Sequence, residues 1–180
     1  MYSQQQALSQ LLNHSPSDVG EQQAQQRIVE FVRANPAYWS RATLAGHLTG
    51  SAWITDVRHE RAVLLHHKKL AKWLQPGGHI DADDADLVQA SLREAREETG
   101  LVNLILAQPG IFDLDVHRIP ARANEPGHWH LDVRFWFISA DENLVLSHES
   151  NALRWLSRAD IMQLTEEESV LRMVRKSLPV

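Results

Sequence analysis

Apolar and polar positions predict helices in the first part of the chain. Apolar residues recur at helical spacing after Ser17 or Asp18, either of which could cap a helix that runs to about Ala34. The Asn35-Pro36 pair ends this helix, because a residue before proline avoids helical backbone. A shorter helix over residues 3–12 precedes it.

The pattern changes at about residue 45, where short apolar runs begin to alternate with polar turns. These runs are typical of strands, which we predict over residues 51–57, 62–66 and 151–156 and within 104–116 and 130–139. A long helical segment runs from about Ala85 to Thr99, and Thr165 with Glu168 has the spacing of a capping box for a last helix. Interleaved strands and helices predict an α/β (α+β) fold with a mixed sheet between helices.

The two patterns divide the chain into an N-terminal helical extension over residues 1–44 and one domain over residues 45–180. The 180 residues suffice to bury a core without disulfides or metals as staples. The extension is either a helical appendage packed on the domain or a dimer arm or substrate lid. The sequence leaves this choice open.

Composition and charge exclude several classes of protein. The formal net charge of −5 disfavours a protein that holds nucleic acid by charge alone. Cysteine is absent, which excludes a disulfide framework, thiolate zinc sites and a cysteine nucleophile, and which fits a reducing compartment. The sequence has no apolar run of membrane-spanning length and no signal-peptide pattern at its N-terminus. We therefore expect a cytoplasmic protein without a membrane partner.

The helix that ends at Thr99 carries an acidic face. Glu94, Glu97 and Glu98 are spaced i, i+3 and i+4, so their side chains lie on one side. Another side can bury and carries Val88, Leu92, Ala95 and Thr99. Close carboxylates repel each other, and a divalent cation such as Mg²⁺ or Mn²⁺ removes this conflict while keeping water positions open for a phosphate. For the three glutamates alone, a solvated acidic face is the alternative.

Neighbouring residues make the acidic pattern more specific. Gly77-Gly78 lets the backbone approach a ligand closely, and a carbonyl there could complete a metal shell. Arg93 precedes Glu97 by four residues and can hold its carboxylate from the side. The glycine pair, the acidic helix start and the run that ends in Gly100 together form a pattern that is much rarer than any one of its parts.

This compound pattern resembles the Nudix box of Nudix hydrolases, G-x5-E-x7-R-E-U-x-E-E-x-G-U, in which U is a bulky apolar residue. The residues that match in order and spacing are Arg93, Glu94, Glu97, Glu98, Gly100 and Leu101, with the small apolar Ala95 at a U position. Two positions depart from the pattern: Ala85 replaces the early glutamate and His79 replaces the first glycine. A one-residue loop insertion restores the glycines, with Asp84 or Asp86 standing in for the early acid.

The resemblance implies a Nudix-like α/β/α sandwich and divalent-metal-dependent hydrolysis of a diphosphate linkage. The substrate would be a nucleoside diphosphate derivative or a related small phosphorylated molecule. The implied ligands of Mg²⁺ or Mn²⁺ are Glu94, Glu97 and Glu98, with a contribution from the Gly77 carbonyl, and Arg93 would orient the glutamates.

The general base in such an enzyme is either a box glutamate or an acid on a distant loop. Outside the box, Glu149 is the first candidate and Glu142 a weaker one, against the plain interpretation of both as surface loop acids. A homodimer is also consistent with the family and with the N-terminal arm.

Residues near the glycine pair are candidates for substrate binding. Lys72 and its neighbours Lys68 and Lys69 could meet a far phosphate, and Trp73 or Trp53 could stack on a base. We also place Gly78 and His79 among the substrate contacts. The alternatives are a solvated turn for the lysines and core packing for the tryptophans.

His128, His130 and Asp132 alternate, so on a strand they would share one face. With His79 or His117 they could form a transition-metal site. The plainer interpretation is a set of hydrogen-bonded histidines that line a polar cleft.

Two other functions compete with hydrolysis. One is a binding module that senses a nucleotide derivative on the same fold, although the three box glutamates that such a module could lose all remain. The other is an isomerase of the isopentenyl diphosphate type, a similar fold whose chemistry uses a cysteine that this chain lacks. An RNA-end hydrolase would need a basic stripe that the sequence does not show.

Overall fold

A computed structural model describes residues 3–121 and 126–179. Within these residues it has five helices and eight strands. The helices are α1 (Gln4–Asn13), α2 (Val19–Ala34), α3 (Leu87–Thr99), α4 (Arg158–Leu164) and α5 (Glu168–Ser177). The strands are β1 (Gly46–Asp56), β2 (Arg61–His67), β3 (Lys72–Leu74), β4 (Gly77–His79), β5 (Leu104–Leu106), β6 (Asp113–Ile119), β7 (His128–Ser139) and β8 (Ser150–Ser157).

Backbone hydrogen bonds connect the strands in the order β3-β2-β1-β7-β5, with β4 paired to β1, β6 to β7 and β8 to β2. The described residues group into two compact units. Unit 1 takes its residues from Met1–Gly50, Gly78–Ser91 and Gly110–Phe135, and unit 2 from Ser51–Gly77, Leu92–Pro109 and Trp136–Val180.

Unit 1 contains the two N-terminal helices, strand β6 and strand β7 as far as Phe135. The Asp18 carboxylate accepts a hydrogen bond from the Glu21 amide at 2.8 Å and so caps α2, as expected. The apolar side of α2, which includes Ile28 and Val32, is fully buried, and α2 packs on β6. The helical pattern of the first 34 residues is therefore confirmed.

The β6–β7 hairpin carries a buried arginine surrounded by acids. Asp113 pairs with Arg134 in the antiparallel register. The Arg134 guanidinium uses a different nitrogen for each of three carboxylates, at 2.7 Å from Asp132, 3.1 Å from Asp113 and 3.3 Å from Asp115. Asp132 also accepts a hydrogen bond from Thr49 on β1 at 2.9 Å. Buried charge is thus compensated within the hairpin and its neighbouring strand.

Unit 2 is organised around β2, which pairs antiparallel with β3 and along most of its length with β8. Helix α4 packs on β8 and contacts α5. Trp53 is fully buried, and its indole N–H donates to the Ser177 hydroxyl at 2.7 Å. Trp53 is therefore a core residue, and the idea that it stacks on a base is wrong.

Two expectations about element ends are also wrong. Strand β1 begins at Gly46 rather than residue 51, because His47 and Thr49 are buried polar residues that hide the strand pattern. Thr165 does not form a capping box for α5: it ends α4, the N-cap of α5 is Glu167, and Glu167 makes no side-chain cap bond. The intervening α4 has its own capping box, formed by Ser157 and Asp160.

Candidate functional site

Helix α3 begins at Leu87, where Asp86 caps it by accepting a hydrogen bond from the Gln89 amide at 2.8 Å. In the preceding loop, Asp84 accepts a hydrogen bond from the Asp81 amide at 2.8 Å. The two aspartates that could stand in for the early box acid therefore shape the loop and the start of the helix.

The buried side of α3 is rotated from the expected one. Its buried residues are Leu87, Ala90, Ser91, Ala95, Glu98 and Thr99, whereas Val88 and Leu92 are half-buried. A Cβ added to Gly50 on β1 would lie 2.9 Å from the Ser91 hydroxyl, so small residues on both elements allow a close approach. As a result, Glu98 lies on the buried side while its neighbour Glu97 remains exposed.

Glu98 is a buried acid with a raised pKa. It is only 7% exposed, and its carboxylate accepts a hydrogen bond from the Gly77 amide at 2.8 Å. Burial raises the pKa of Glu98 to about 8, and the charges of Glu94, Glu149 and Glu97 add to this rise against the lowering effect of the Gly77 amide. Glu94, Glu97 and Glu149 thus act electrostatically on Glu98, and we call these four residues the acidic cluster.

Arg93 holds two members of the acidic cluster. Its guanidinium lies 3.0 Å from the Glu94 carboxylate and 3.4 Å from that of Glu97. The Glu97 side chain is 59% exposed and that of Glu94 is largely buried. Arg93 therefore fixes Glu94 more closely than Glu97, although the spacing alone favoured Glu97.

Gly77 is required by the close packing of its strand. A Cβ at this position would lie 2.3 Å from the Ser51 hydroxyl and 2.7 Å from the Ser51 Cα, so no larger residue fits without moving the backbone. This packing places the Gly77 amide against Glu98. A role of the Gly77 carbonyl as a metal ligand stays a prediction.

The two candidate bases outside the box differ in their surroundings. The Glu149 side chain is half exposed, lies 3.7 Å from His148 and contributes to the raised pKa of Glu98. Glu142 instead forms an ion pair with Arg61 at 2.6 Å. Of the two acids, Glu149 is therefore the one that acts electrostatically on Glu98, whereas Glu142 is engaged by Arg61.

The predicted substrate contacts on β3 have partners within unit 2. Lys72 forms an ion pair with Glu167 at 2.5 Å. The half-buried Trp73 ring has the guanidinium of Arg154 over it at 5.4 Å and the edge of His66 beside it. Lys68 donates to the His148 carbonyl. Substrate binding by Lys72, Trp73, Gly78 and His79 stays a prediction.

A second group of candidate functional side chains lies in unit 1. One metal-binding nitrogen from each of His47, His79 and His130 can be chosen such that all three lie within 4.8 Å of one another. The His47 ring centroid lies 5.0 Å from those of His79, His128 and His130. We call His47, His79 and His130 the histidine triad.

The triad differs from the predicted set. Asp132 is engaged by Arg134 and Thr49, so it is not a member. His128 and His117 are ring neighbours of His130. Sequence reasoning missed His47 because it appeared to precede the first strand. The signal that could have found it is the alternation of His47, Thr49 and Ser51 along β1.

Two members of the triad, His47 and His130, have lowered pKa values and are neutral at neutral pH. Burial lowers the pKa of His47 to about 4, with further lowering by His79, His128 and Arg41. Burial likewise lowers the pKa of His130 to about 2, followed by the effect of its histidine neighbours. Neutral imidazole is the form that binds metal ions.

Comparison with known proteins identifies the family. The NUDIX domain model matches residues 47–176, and the chain therefore belongs to the Nudix family. "Phosphatase NudJ" of Escherichia coli K12 is 36% identical over 105 residues, which cover 56% of this chain and 61% of the relative. The chain thus spans about three fifths of the length of these curated relatives.

Solved structures support the same fold. A NUDIX-family hydrolase from Clostridium perfringens is 26% identical with a TM-score of 0.55, over 72% of this chain and 95% of that one. The NUDIX domain of Shewanella oneidensis NrtR, complexed with ADP ribose, is 22% identical with a TM-score of 0.54, over 78% and 94%. The predicted Nudix-like α+β fold is confirmed. None of the helices in residues 3–121 and 126–179 is long and apolar enough to cross a bilayer.

Proposed function

We propose that this chain is a divalent-metal-dependent pyrophosphohydrolase that cleaves the diphosphate linkage of a nucleoside diphosphate derivative. The observation that carries the proposal is Glu98, a buried carboxylate beside three other acids. Among the described residues Glu98 forms no ion pair with a lysine or arginine. Membership of the Nudix family supports the same reaction class.

The acidic cluster fits the metal that the family implies. Mg²⁺ and Mn²⁺ prefer oxygen ligands, which Glu94, Glu97 and Glu98 supply. Burial raises the pKa of Glu98 to about 8, so its ionised form is unfavourable unless a positive charge lies beside it. These three glutamates would hold the ion, with the Gly77 carbonyl as a further proposed ligand. When bound, the ion supplies positive charge to the phosphate oxygens and makes water more acidic.

The remaining parts of the reaction belong to the protein itself. The Gly77 amide orients the Glu98 carboxylate, and Arg93 fixes Glu94 and restrains Glu97. Glu149, half exposed and free to meet water, would accept the proton of the attacking water. The new bond forms between water oxygen and phosphorus while the bridging oxygen leaves with the other phosphate. Lys72 would exchange Glu167 for a phosphate, and Trp73 would present its ring to a base.

Glu98→Gln is the decisive variant for this proposal. It keeps an acceptor for the Gly77 amide and removes the negative charge that would hold a cation. On a panel of ADP-ribose, dinucleoside polyphosphates, NADH, sugar nucleotides and coenzyme A with Mg²⁺ or Mn²⁺, we expect wild-type turnover of at least one member. Glu98→Gln should lower that turnover by at least about 100-fold with an unchanged circular dichroism spectrum.

Glu168→Gln is the matched control, because Glu168 is an exposed acid on α5 that pairs with Arg175. It should retain wild-type turnover. Tight binding of one panel member without turnover by the wild type would contradict hydrolysis and favour the sensing module. Equal activity of Glu98→Gln and the wild type would contradict the assignment of Glu98.

A further inference from the structure

His47 carries a buried imidazole whose hydrogen-bonding capacity is unused among the described residues. His47 is 2% exposed, and neither of its ring nitrogens has a hydrogen-bond partner among the described residues. A buried polar group without a partner costs about 1–3 kcal/mol. Ordinary hydrogen bonding in a polar cleft therefore does not account for His47.

The surroundings of His47 contain further imidazoles rather than apolar side chains alone. His79 and His130 each place a ring 5.0 Å from the His47 ring, and the three residues can present nitrogens within 4.8 Å of one another. A tetrahedral ion with metal–nitrogen distances of about 2.0–2.1 Å holds its ligand atoms about 3.3 Å apart. Side-chain adjustments of about an ångström would therefore close the triad on one ion.

The backbone presents the triad from three strands. His47 lies near the start of β1, His79 at the end of β4 and His130 in β7. Both β4 and β7 are hydrogen-bonded to β1. Ligands on paired strands are held more precisely than ligands on loops, which favours a preformed site.

The chemistry of the donors selects the kind of ion. All three donors are imidazole nitrogens, which suit Zn²⁺, Cu²⁺ and Ni²⁺, whereas Mg²⁺ prefers oxygen. Each of the three imidazoles can offer one ring nitrogen to the ion. Three protein ligands leave a coordination position for water or an anion.

We propose that His47, His79 and His130 bind one divalent transition-metal ion, with Zn²⁺ as the occupant, through three imidazole nitrogens. This site is separate in its residues and donor atoms from the acidic cluster, which offers oxygen. Its three histidines come from β1, β4 and β7, and all three lie in unit 1.

Zinc binding to the full-length protein tests the proposal directly. After treatment with a chelator and dialysis, we expect the wild type to bind one equivalent of Zn²⁺ at the triad by titration calorimetry. X-ray absorption at the zinc edge should show imidazole scattering with nitrogens at about 2.0–2.1 Å. Spectra without imidazole scattering would overturn the proposal even if every variant failed to fold.

Variants then assign the ligands. His47→Gln and His130→Gln should each weaken zinc binding by more than the roughly 10–100-fold lost when a residue that hydrogen-bonds to a metal ligand is removed. His148→Gln is the matched control, because His148 is 92% exposed and outside the triad, and it should bind as the wild type does. Unchanged zinc affinity in folded His47→Gln and His130→Gln proteins would overturn the proposal.

Two further variants separate this site from its neighbours. Glu98→Gln should retain the triad's zinc, since its oxygen belongs to the acidic cluster, so failure of the hydrolase proposal leaves this test intact. His117→Gln should also retain it, because His117 contacts the His130 ring without contributing to the triad. Loss of zinc imidazole scattering in Glu98→Gln would contradict a separate site.

Discussion

At the scale of single residues, Glu98 shows how a buried carboxylate can lower the stability of the fold. The folded chain buries this carboxylate and surrounds it with acids, and the pKa rises to about 8. The Gly77 amide compensates only part of this cost. Such an arrangement is unfavourable for folding and favourable for holding a cation.

The raised pKa of Glu98 predicts how the stability of the protein depends on pH. Between the ordinary pKa of 4.5 and the folded value of about 8, the folded protein keeps a proton that the unfolded chain releases. Wild-type stability measured in chelator should therefore fall as pH rises through this interval. Glu98→Gln lacks this titration and should be more stable than the wild type above pH 8 by roughly 2–4 kcal/mol.

Urea unfolding at several pH values between 4.5 and 9 measures this difference. The exposed Glu168 lies outside the acidic cluster and provides the matched control, so Glu168→Gln should follow the wild-type pH dependence. Parallel stability curves for wild type and Glu98→Gln would show that the Glu98 environment is not as we describe it.

At the scale of elements, the turn between β1 and β2 is held by one aspartate. Asp56 accepts hydrogen bonds from the Glu60 amide at 2.8 Å and from the Arg61 guanidinium at 3.1 Å. Burial of Asp56 acts to raise its pKa, but these hydrogen bonds and the charge of Arg61 outweigh it and lower the pKa below 3.8. The ionised carboxylate thus stabilises the hairpin.

Asp56→Asn should therefore destabilise the protein by about 1–2 kcal/mol at pH 7. A depressed folded pKa contributes stability above the unfolded value that is lost as pH falls through the folded one. The difference between Asp56→Asn and wild type should consequently shrink below about pH 4. Denaturant unfolding at pH 7 and pH 3 measures it, with the exposed Asp83→Asn as a control that should match wild type at both. An effect independent of pH would contradict the role of the charge.

The elements also show what sequence patterns can and cannot predict. Helix α2 and its Asp18 cap follow from local spacing, which is why their prediction is confirmed. The seven-residue α4 is too short to show a clear period, so Thr165 was assigned to the wrong helix. The early start of β1 depends on polar side chains buried by other strands, which local spacing does not report.

Local spacing also predicts part of the acidic cluster but does not predict the histidine triad. The box glutamates are close in sequence, so their shared helix face is predictable from spacing. The burial of Glu98 depends on a strand 21 residues away in the chain, and the triad combines residues from three strands. Contacts between distant segments leave no periodic signal, and His47 was therefore missed.

At the scale of the whole molecule, the N-terminal helices unfold either together with the residues they pack on or separately from them. The division into an extension over residues 1–44 and a domain over residues 45–180 stays a prediction. Helix α2 buries Ile28 completely and packs on β6 within unit 1. We therefore expect the extension to unfold together with the rest of unit 1.

Ile28→Ala should test this cooperativity. Deleting a fully buried isoleucine side chain costs about 2–5 kcal/mol, and in a cooperative unit this loss shifts the main unfolding transition. Leu12→Ala, at an exposed position of α1, is the control and should change stability by less than about 0.5 kcal/mol. A separate early transition in calorimetry, with the main transition unmoved, would show that the extension unfolds by itself.

The arginine buried in the β6–β7 hairpin also makes substitution there asymmetric. Arg134 pairs with three carboxylates, each through its own nitrogen, and Asp115 faces Asp132 directly across the strands. Losing one aspartate leaves Arg134 two partners, whereas losing Arg134 leaves neighbouring carboxylates without their cation. A lysine offers a single nitrogen in place of the planar guanidinium and could not pair with all three carboxylates. Substitutions during evolution should therefore be accepted at the aspartates long before they are accepted at Arg134.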